Sequence, residues 1–392
     1  MRFQSLRVLL MFSISNPCIE FVHAQSHTDV KKLHTDMFTD YKKEVLPTAD
    51  QSKPLVIGVT FFMASFNSFN EVEETISLTA AVGMNWTDPA LKWNPTLYGN
   101  LYGTIINPKD LWLPQLFLIN RVDSMDPVGD DTMFFPTIIY TGEVIYSPGG
   151  ILKAKCPTDI SKFPFDSQTC TLQLMPWGFI QANLLLTSNF DKAQLDFFSQ
   201  HSDWNLLEYS ISIVNESLGY SVLNVKLTFE REPLYFAVMI ILPTLLFSLL
   251  NPLVFVLPVE SGERVSLSMT ILLSYAIFLT LVSASIPASS NPMCVLLIAM
   301  IAIISISGVI VIGSIISANY FYLNNSKNIG MVMKYFTKLW MRKKNKVVPI
   351  DEYKEPTIRG KDVTEMLDSL FFYGTYISIF LIISGYFLYV LL

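Results

Sequence analysis

Four long apolar runs follow Pro233: Leu234 to Leu257, Val265 to Ile286, Met293 to Ala318 and Leu370 to Leu392. A helix needs about 20 apolar residues to cross a hydrocarbon core, and every run meets that length. Their number matters as much, because an even count returns the chain to the side it started from. The fourth run reaches the last residue, so almost nothing is expected to follow it outside. Upstream of Arg231 the apolar residues are interleaved with polar and turn residues, and this shift marks the main domain boundary. At 51% hydrophobic and only 15% charged, the 392 residues are too apolar for two or three soluble domains.

Charge sets the orientation, since cytoplasmic loops favour Lys and Arg. Lys334, Lys338, Arg342, Lys343, Lys344 and Lys346 lie between the third and fourth runs, which puts residues 319–369 inside and the N-terminus outside. There Met331, Tyr335 and Leu339, with Val332, Phe336 and Trp340, recur at helical spacing opposite the lysines. The pattern fits an amphipathic helix on the inner lipid leaflet, with a solvated linker as the plainer alternative. The sequon Asn324-Asn325-Ser326 falls on this inner side and is discounted.

Residues 1–24 read as a cleavable signal peptide, with Arg2 and Arg7 ahead of the apolar Val8 to Ile14 and a small Ala24 behind. A plain N-terminal helix is the alternative. Once Cys18 leaves, Cys156, Cys170 and Cys294 remain; the first two share the outer half and can pair, while Cys294 behaves as a small hydrophobe. A formal charge of −6, with no interleaved basic and aromatic patch, argues against a nucleic-acid partner. Of four histidines, His23 leaves with the leader, His27 and His34 sit near the mature N-terminus, and His201 has no nucleophile or ligand cluster around it. Neither catalysis nor a metal or cofactor is expected.

Between Lys53 and Arg231, short runs such as Thr75 to Thr79, Thr137 to Tyr140 and Asn224 to Phe229 alternate with Asp88-Pro89, Asn94-Pro95, Asn107-Pro108, Asp126-Pro127 and Pro148-Gly149-Gly150. Many short strands with regular turns predict a β-sandwich over 25–232, and Val30 to Lys43 carries a weak helical period ahead of it. Membrane helices one to three then occupy 233–318 and the fourth 370–392.

The most specific local signal is Cys156-Pro-Thr-Asp-Ile-Ser-Lys-Phe163-Pro164-Phe165-Asp166-Ser-Gln-Thr-Cys170. It resembles the signature of the Cys-loop pentameric ligand-gated ion channels. Leu111-Trp112-Leu113-Pro114, Asn85-Trp86-Thr87-Asp88 with Trp93-Asn94, and Glu260 to Leu267 are similar to nicotinic acetylcholine receptor sequence. The likeness implies a homo- or hetero-pentamer in the plasma membrane, of a sensory cell or a postsynaptic site. It also implies a Cys156–Cys170 loop whose tip presses on the membrane domain. Closing a loop of that length stabilises by about 3 kcal/mol in the chain-entropy model. The same resemblance pairs Arg231 with Glu71 near Asp166, and sets Phe163, Pro164 and Phe165 against the linker from Ser285 to Pro292 that holds Pro287.

Between Glu263 and Ala284, steps of three or four place Glu263, Ser266, Thr270, Leu273, Ile277, Thr280 and Ala284 on one helical face. Hydroxyls recurring on one stripe of an apolar membrane helix predict a water-filled lumen shared between copies, against the alternative of hydroxyls bonded to their own helix. A Glu263 ring would concentrate cations, and Leu273 and Ile277 rings would close the lumen by dewetting. Anion-selective relatives tend to carry Pro-Ala where this chain has Gly262-Glu263. Ala284 replaces a common acidic residue, which argues against strong calcium permeation.

Nicotinic receptors hold a quaternary ammonium in an aromatic box by cation–π attraction, worth up to about 2 kcal/mol per contact. By resemblance, Trp177 and Tyr220 retain two walls of that box. Ile119 stands in place of a tyrosine, Ala81 or a near neighbour in place of a tryptophan, and Ile213 to Ser217 replace the vicinal cysteines of the capping loop. Ile145, Ser147 and Phe179 complete the expected lining. Losing rings while keeping apolar walls favours a larger, hydrophobic agonist, since apolar burial contributes about 25 cal/mol per Å². This combination most resembles the cephalopod chemotactile receptors, which detect poorly soluble molecules such as terpenoids by contact. A transmitter-gated nicotinic subunit supplying one face of a mixed site, and a non-conducting binding or scaffold subunit, are the rival expectations. Asn85-Trp86-Thr87 and Asn215-Glu216-Ser217 are outer-side sequons.

Overall fold

The computed structural model describes residues 26–130, 134–215, 219–284, 286, 292–323, 329–344 and 358–392. A helix, His27–Phe38 (α1), opens the outer domain, with the Ser26 hydroxyl accepting from the Thr28 amide at its N-cap. Eleven strands follow among the described residues: Leu55–Asn70 (β1), Thr75–Thr87 (β2), Gly103–Ile105 (β3), Leu116–Leu118 (β4), Thr137–Ile139 (β5), Glu143–Tyr146 (β6), Gly149–Lys155 (β7), Ser167–Pro176 (β8), Leu184–Ser188 (β9), Trp204–Asn215 (β10) and Ser221–Arg231 (β11). One sheet runs β3-β5-β6-β2-β1-β9, with β7 also pairing β2, and the second runs β10-β11-β8-β4.

Alternation drives the sandwich. Along β11, Leu223, Val225, Leu227 and Phe229 are buried against Ile57, Val59, Phe61 and Met63 of the facing sheet, while Asn224, Lys226, Thr228 and Glu230 turn away. β10 breaks this parity. Its pairing with β11 shifts register between Leu206 and Glu208, so Trp204 and Leu206 face the core before the bulge and Tyr209, Ile211 and Ile213 after it.

Four helices in the membrane half are long and apolar enough to cross a bilayer: Leu234–Val256 (α2), Glu263–Ala284 (α3), Val295–Phe321 (α4) and Gly360–Leu391 (here α6). A helix satisfies its own backbone groups, which hydrocarbon cannot. Pro243 and Pro252 each remove a donor from α2, and the helix answers with a π turn at Ala237–Ile241 and a 3-10 stretch at Asn251–Val256. The fourth spanning helix starts at Gly360, ten residues before the apolar run at Leu370, because the preceding turns are polar but amphipathic. Gly360 is required there: a Cβ would sit 2.1 Å from the Tyr320 carbonyl oxygen.

A further helix, Met331–Lys344 (α5), packs on this extension through Met333 and Trp340, which join Ile329, Val363, Met366 and Leu367. Trp340 therefore faces the protein and not, as its spacing suggested, the leaflet side, where Met331, Val332, Tyr335, Phe336 and Leu339 stay exposed. The expected leader at 1–24 and Pro287 lie outside the described residues.

Candidate functional site

Cys156 and Cys170 form a disulfide with Cα atoms 5.1 Å apart, closing the loop between β7 and β8. The loop tip is driven into the membrane half by its own apolar residues. Ile160 and Phe163 are buried among Ile241, Val282, Ile286, Leu296, Met300 and Tyr386, with Phe165 packed beside them and Pro164 buried. The Tyr386 hydroxyl of α6 donates to the Phe163 carbonyl at 3.2 Å, and the Val295 amide of α4 donates to the Ser161 carbonyl at 3.3 Å.

Arg231 stands where β11 gives way to α2. Its Nη1 donates to Glu71 Oε1 at 2.7 Å, and its Nε and Nη2 clamp Asp166 at 2.8 and 3.2 Å. The guanidinium lies 4.3 Å from the Trp204 ring centre, 5.1 Å from Phe163 and 5.3 Å from Phe236, so three rings and two carboxylates enclose it. Burial lowers its proton affinity, but the Asp166 and Glu71 carboxylates outweigh burial and the net shift is upward. Of the coupling residues expected by resemblance, Arg231, Glu71, Asp166 and Phe163 thus meet.

On α3, Glu263, Ser266, Thr270, Leu273, Ile277, Thr280 and Ala284 are all exposed, while Arg264, Ser268, Ile271, Tyr275 and Val282 are buried against neighbouring helices. Within one chain the hydroxyls of Thr270 and Thr280 bond back to the carbonyls of Ser266 and Ile277. That satisfies their donors and leaves lone pairs toward the open face.

The ligand-lining residues divide between the sheets. Ile119 follows β4, with its amide bonded to the Gln173 carbonyl at 2.8 Å, and lies near the end of β8 that carries Trp177. Trp177 is 51% exposed, a large value for an indole, and its ring lies 6.5 Å from Phe117. Gln181 stitches the next strand pair to this segment: its amide donates to the Gly219 carbonyl at 2.7 Å and its side chain to the Tyr220 carbonyl at 3.0 Å. Ala81 and Ile145 occupy the opposite sheet, and Ser147 lies in the connection between β6 and β7. The two sheet residues point away from the core, because Ala80, Val82, Met84 and Val144 between them point in. One chain therefore carries the residues expected to line a ligand site on two separate surfaces, a Trp177 face and an Ala81 face.

Two expected lining residues belong elsewhere. Ile213 packs on the sandwich core, because the bulge in β10 reverses which parity faces inward. Phe179 also packs on the core, with its ring 6.2 Å from Trp112 at 75°. In the Asn85 sequon the side chain sits two residues before the end of β2, accepts from Asn189 at 2.9 Å and donates to Glu143 at 3.4 Å. Asn215 ends β10, and Glu216 and Ser217 lie outside the described residues.

Sequence reasoning missed three features. Phe117 adds an aromatic edge beside Trp177. Tyr275 of α3 shares a hydrogen bond with Ser248 of α2 at 2.7 Å and donates to the Thr244 carbonyl at 3.2 Å, locking the two helices. Arg264 and Asp368 form a buried ion pair at 2.8 Å. Polar residues inside predicted spans, Ser248 and Tyr275, were the available signal for the second, whereas Arg264 and Asp368 fall just outside the predicted spans.

Residues 30–233 match the family model described as the neurotransmitter-gated ion-channel ligand binding domain, and residues 240–359 match the neurotransmitter-gated ion-channel transmembrane region. The chain is 31% identical over 266 residues to acetylcholine receptor subunit alpha-1-B of Xenopus laevis, covering 66% of this chain and 58% of that protein. It is 30% identical over 269 residues to acetylcholine receptor subunit alpha of Danio rerio, covering 67% and 59%. With acetylcholine receptor subunit beta-type unc-29 of Caenorhabditis elegans it shares 29% over 295 residues, covering 74% and 58%. The chain thus spans less than two thirds of the length of the curated relatives it matches.

Proposed function

The chain belongs to the neurotransmitter-gated ion-channel family, and we propose that it is one subunit of a pentameric, cation-selective channel of the plasma membrane opened by a poorly soluble, hydrophobic agonist such as a terpenoid. A complete ligand site then forms where the Trp177 face of one subunit meets the Ala81 face of the next, as either face alone is open to water. The observation that carries the agonist class is the half-exposed Trp177, edged by the Phe117 ring, with the aliphatic Ile119 further along the same sheet and a partner surface of Ala81, Ile145 and Ser147 to meet it. That pocket keeps one indole and replaces other ring faces by aliphatic walls, which suits apolar area better than a small cation. A contact-dependent chemosensory role, of the kind seen in cephalopod chemotactile receptors, follows from that ligand chemistry.

In this reading five copies of the exposed α3 face line the lumen. Glu263 supplies the negative ring, and Leu273 with Ile277 form the constriction. Expression of this chain alone in a voltage-clamped cell tests it. Terpenoid-evoked inward current with no response to acetylcholine is the expected result. Current with acetylcholine alone, or none with any compound, overturns it. One observation favours a second reading: Trp177 and Phe117 put rings on one face, whereas Ala81, Ile145 and Ser147 put none on the other, whose ring at that register is Phe62, paired with Ala81. A chain that lends only its Trp177 face to a mixed pentamer would stay silent alone and conduct when a related subunit with an aromatic complementary face is co-expressed. A non-conducting binding subunit would stay silent in both settings; the polar face of α3 weighs against it.

A further inference from the structure

The first two residues of α3 carry opposite charges, and only one of them can serve a cation pathway. Glu263 is exposed. Arg264, its neighbour, is 5% exposed, and its guanidinium is turned to the back of the helix. There Nη1 donates to Asp368 Oδ1 at 2.9 Å and to the Ser317 hydroxyl at 3.4 Å, and Nη2 donates to Asp368 Oδ2 at 2.8 Å and to the Phe255 carbonyl at 3.3 Å. Nε donates to the Leu257 carbonyl. Phe255 and Leu257 lie at the end of α2, where last-turn carbonyls have no helical partner. Ser317 of α4 also donates to Asp368, so four helices converge on one guanidinium. All five of its N–H directions are used, and Asp368 is the sole carboxylate among the acceptors.

We propose that Asp368, on the outermost helix of the bundle, positions charge for permeation: it retains Arg264 behind α3 so that the inner mouth presents Glu263 unopposed. Without Asp368 the guanidinium keeps only neutral partners in a poorly hydrated site, while Glu263, the adjoining residue, holds an exposed carboxylate in water. A swing of the long arginine side chain toward it would place five positive charges at the mouth and cancel the ring. This inference rests on the reading of Glu263 as a lumenal ring.

The test measures reversal potential under salt dilution and unitary conductance. It uses a Leu273→Ser background, in which the polar constriction carries spontaneous current and no agonist is needed. Asp368→Asn is expected to lower cation-over-anion permeability and to reduce unitary conductance about twofold. Arg264→Gln combined with Asp368→Asn restores both, because no charge then needs holding. Wild-type permeation in Asp368→Asn with fewer channels at the surface overturns the proposal and makes Asp368 a tether alone. So does a double variant as impaired as the single one. If Asp368→Asn fails to reach the surface, the double variant decides: normal conduction supports the proposal and absent channels overturn it. Glu263→Gln separates the two layers. Unchanged selectivity there removes the lumenal ring and this proposal with it, whereas a shift in Glu263→Gln without one in Asp368→Asn removes only the role of Asp368.

Discussion

Two buried arginines stand at opposite ends of the membrane half and are held in different ways. Arg231, at the outer end, has two carboxylates and three aromatic rings around it, and its partner Asp166 is 1% exposed. Arg264, at the inner end, has one carboxylate, 15% exposed, and completes its shell with a hydroxyl and two backbone carbonyls. The outer cluster joins residues 160 positions apart across two kinds of structure, sheet and helix, at a seam where burial is nearly complete. The inner cluster joins helix ends whose carbonyls lack partners in any case. The difference teaches that a buried charge is most sensitive where its partners are also charges: remove one and the rest have no water to turn to.

Arg231→Gln should have the largest effect. It leaves Asp166 buried and unpaired, a loss of about 3–5 kcal/mol, seen as little folded protein at the cell surface by biotinylation. Arg264→Gln should cost less, about 1.5–3 kcal/mol, since Asp368 keeps Ser317 and some water; the apparent melting temperature of detergent-solubilised protein would report it. If the two variants melt alike, the contrast between the sites is false. Glu71→Gln should cost about 1 kcal/mol or less, because the Glu71 side chain is 21% exposed and Asp166 still clamps the guanidinium. Ser317→Ala should be smallest, about 0.5 kcal/mol, the low end for a hydrogen bond, because its contact to Arg264 is long at 3.4 Å and Asp368 still holds the guanidinium once the hydroxyl is gone. A cost above that of Arg264→Gln would show that the hydroxyl organises the inner cluster.

The two clusters also differ in how far the sequence exposed them. Asp166 and Phe163 sit in a dense motif, and it was the resemblance carried by that motif that brought Glu71 and Arg231 to them. Asp368 lies two residues before the fourth apolar run, where it reads as part of a solvated loop; only the helix starting at Gly360 carries it to Arg264, 104 positions away. The four spans, the sandwich and the exposed face of α3 were legible because each depends on a repeating pattern of burial. Ile213 was not, because one extra residue between Leu206 and Glu208 reverses the parity of the rest of β10, and nothing local announces it. The split of the ligand residues into two outward faces was equally hidden, since it depends on which sheet each strand joins.

The length of α6 has a consequence for the lipid around it. At 1.5 Å per residue its 32 residues make a rod of about 48 Å, against a hydrocarbon core of about 30 Å. Asp368 fastens this rod at the inner end, and Tyr386, 18 residues on, fastens it to the Phe163 carbonyl beside the Arg231 cluster. A free helix meets a thinner or thicker bilayer by tilting. A rod pinned at two depths must instead pass the mismatch to its pins, so membrane thickness becomes a mechanical load on both arginine clusters at once.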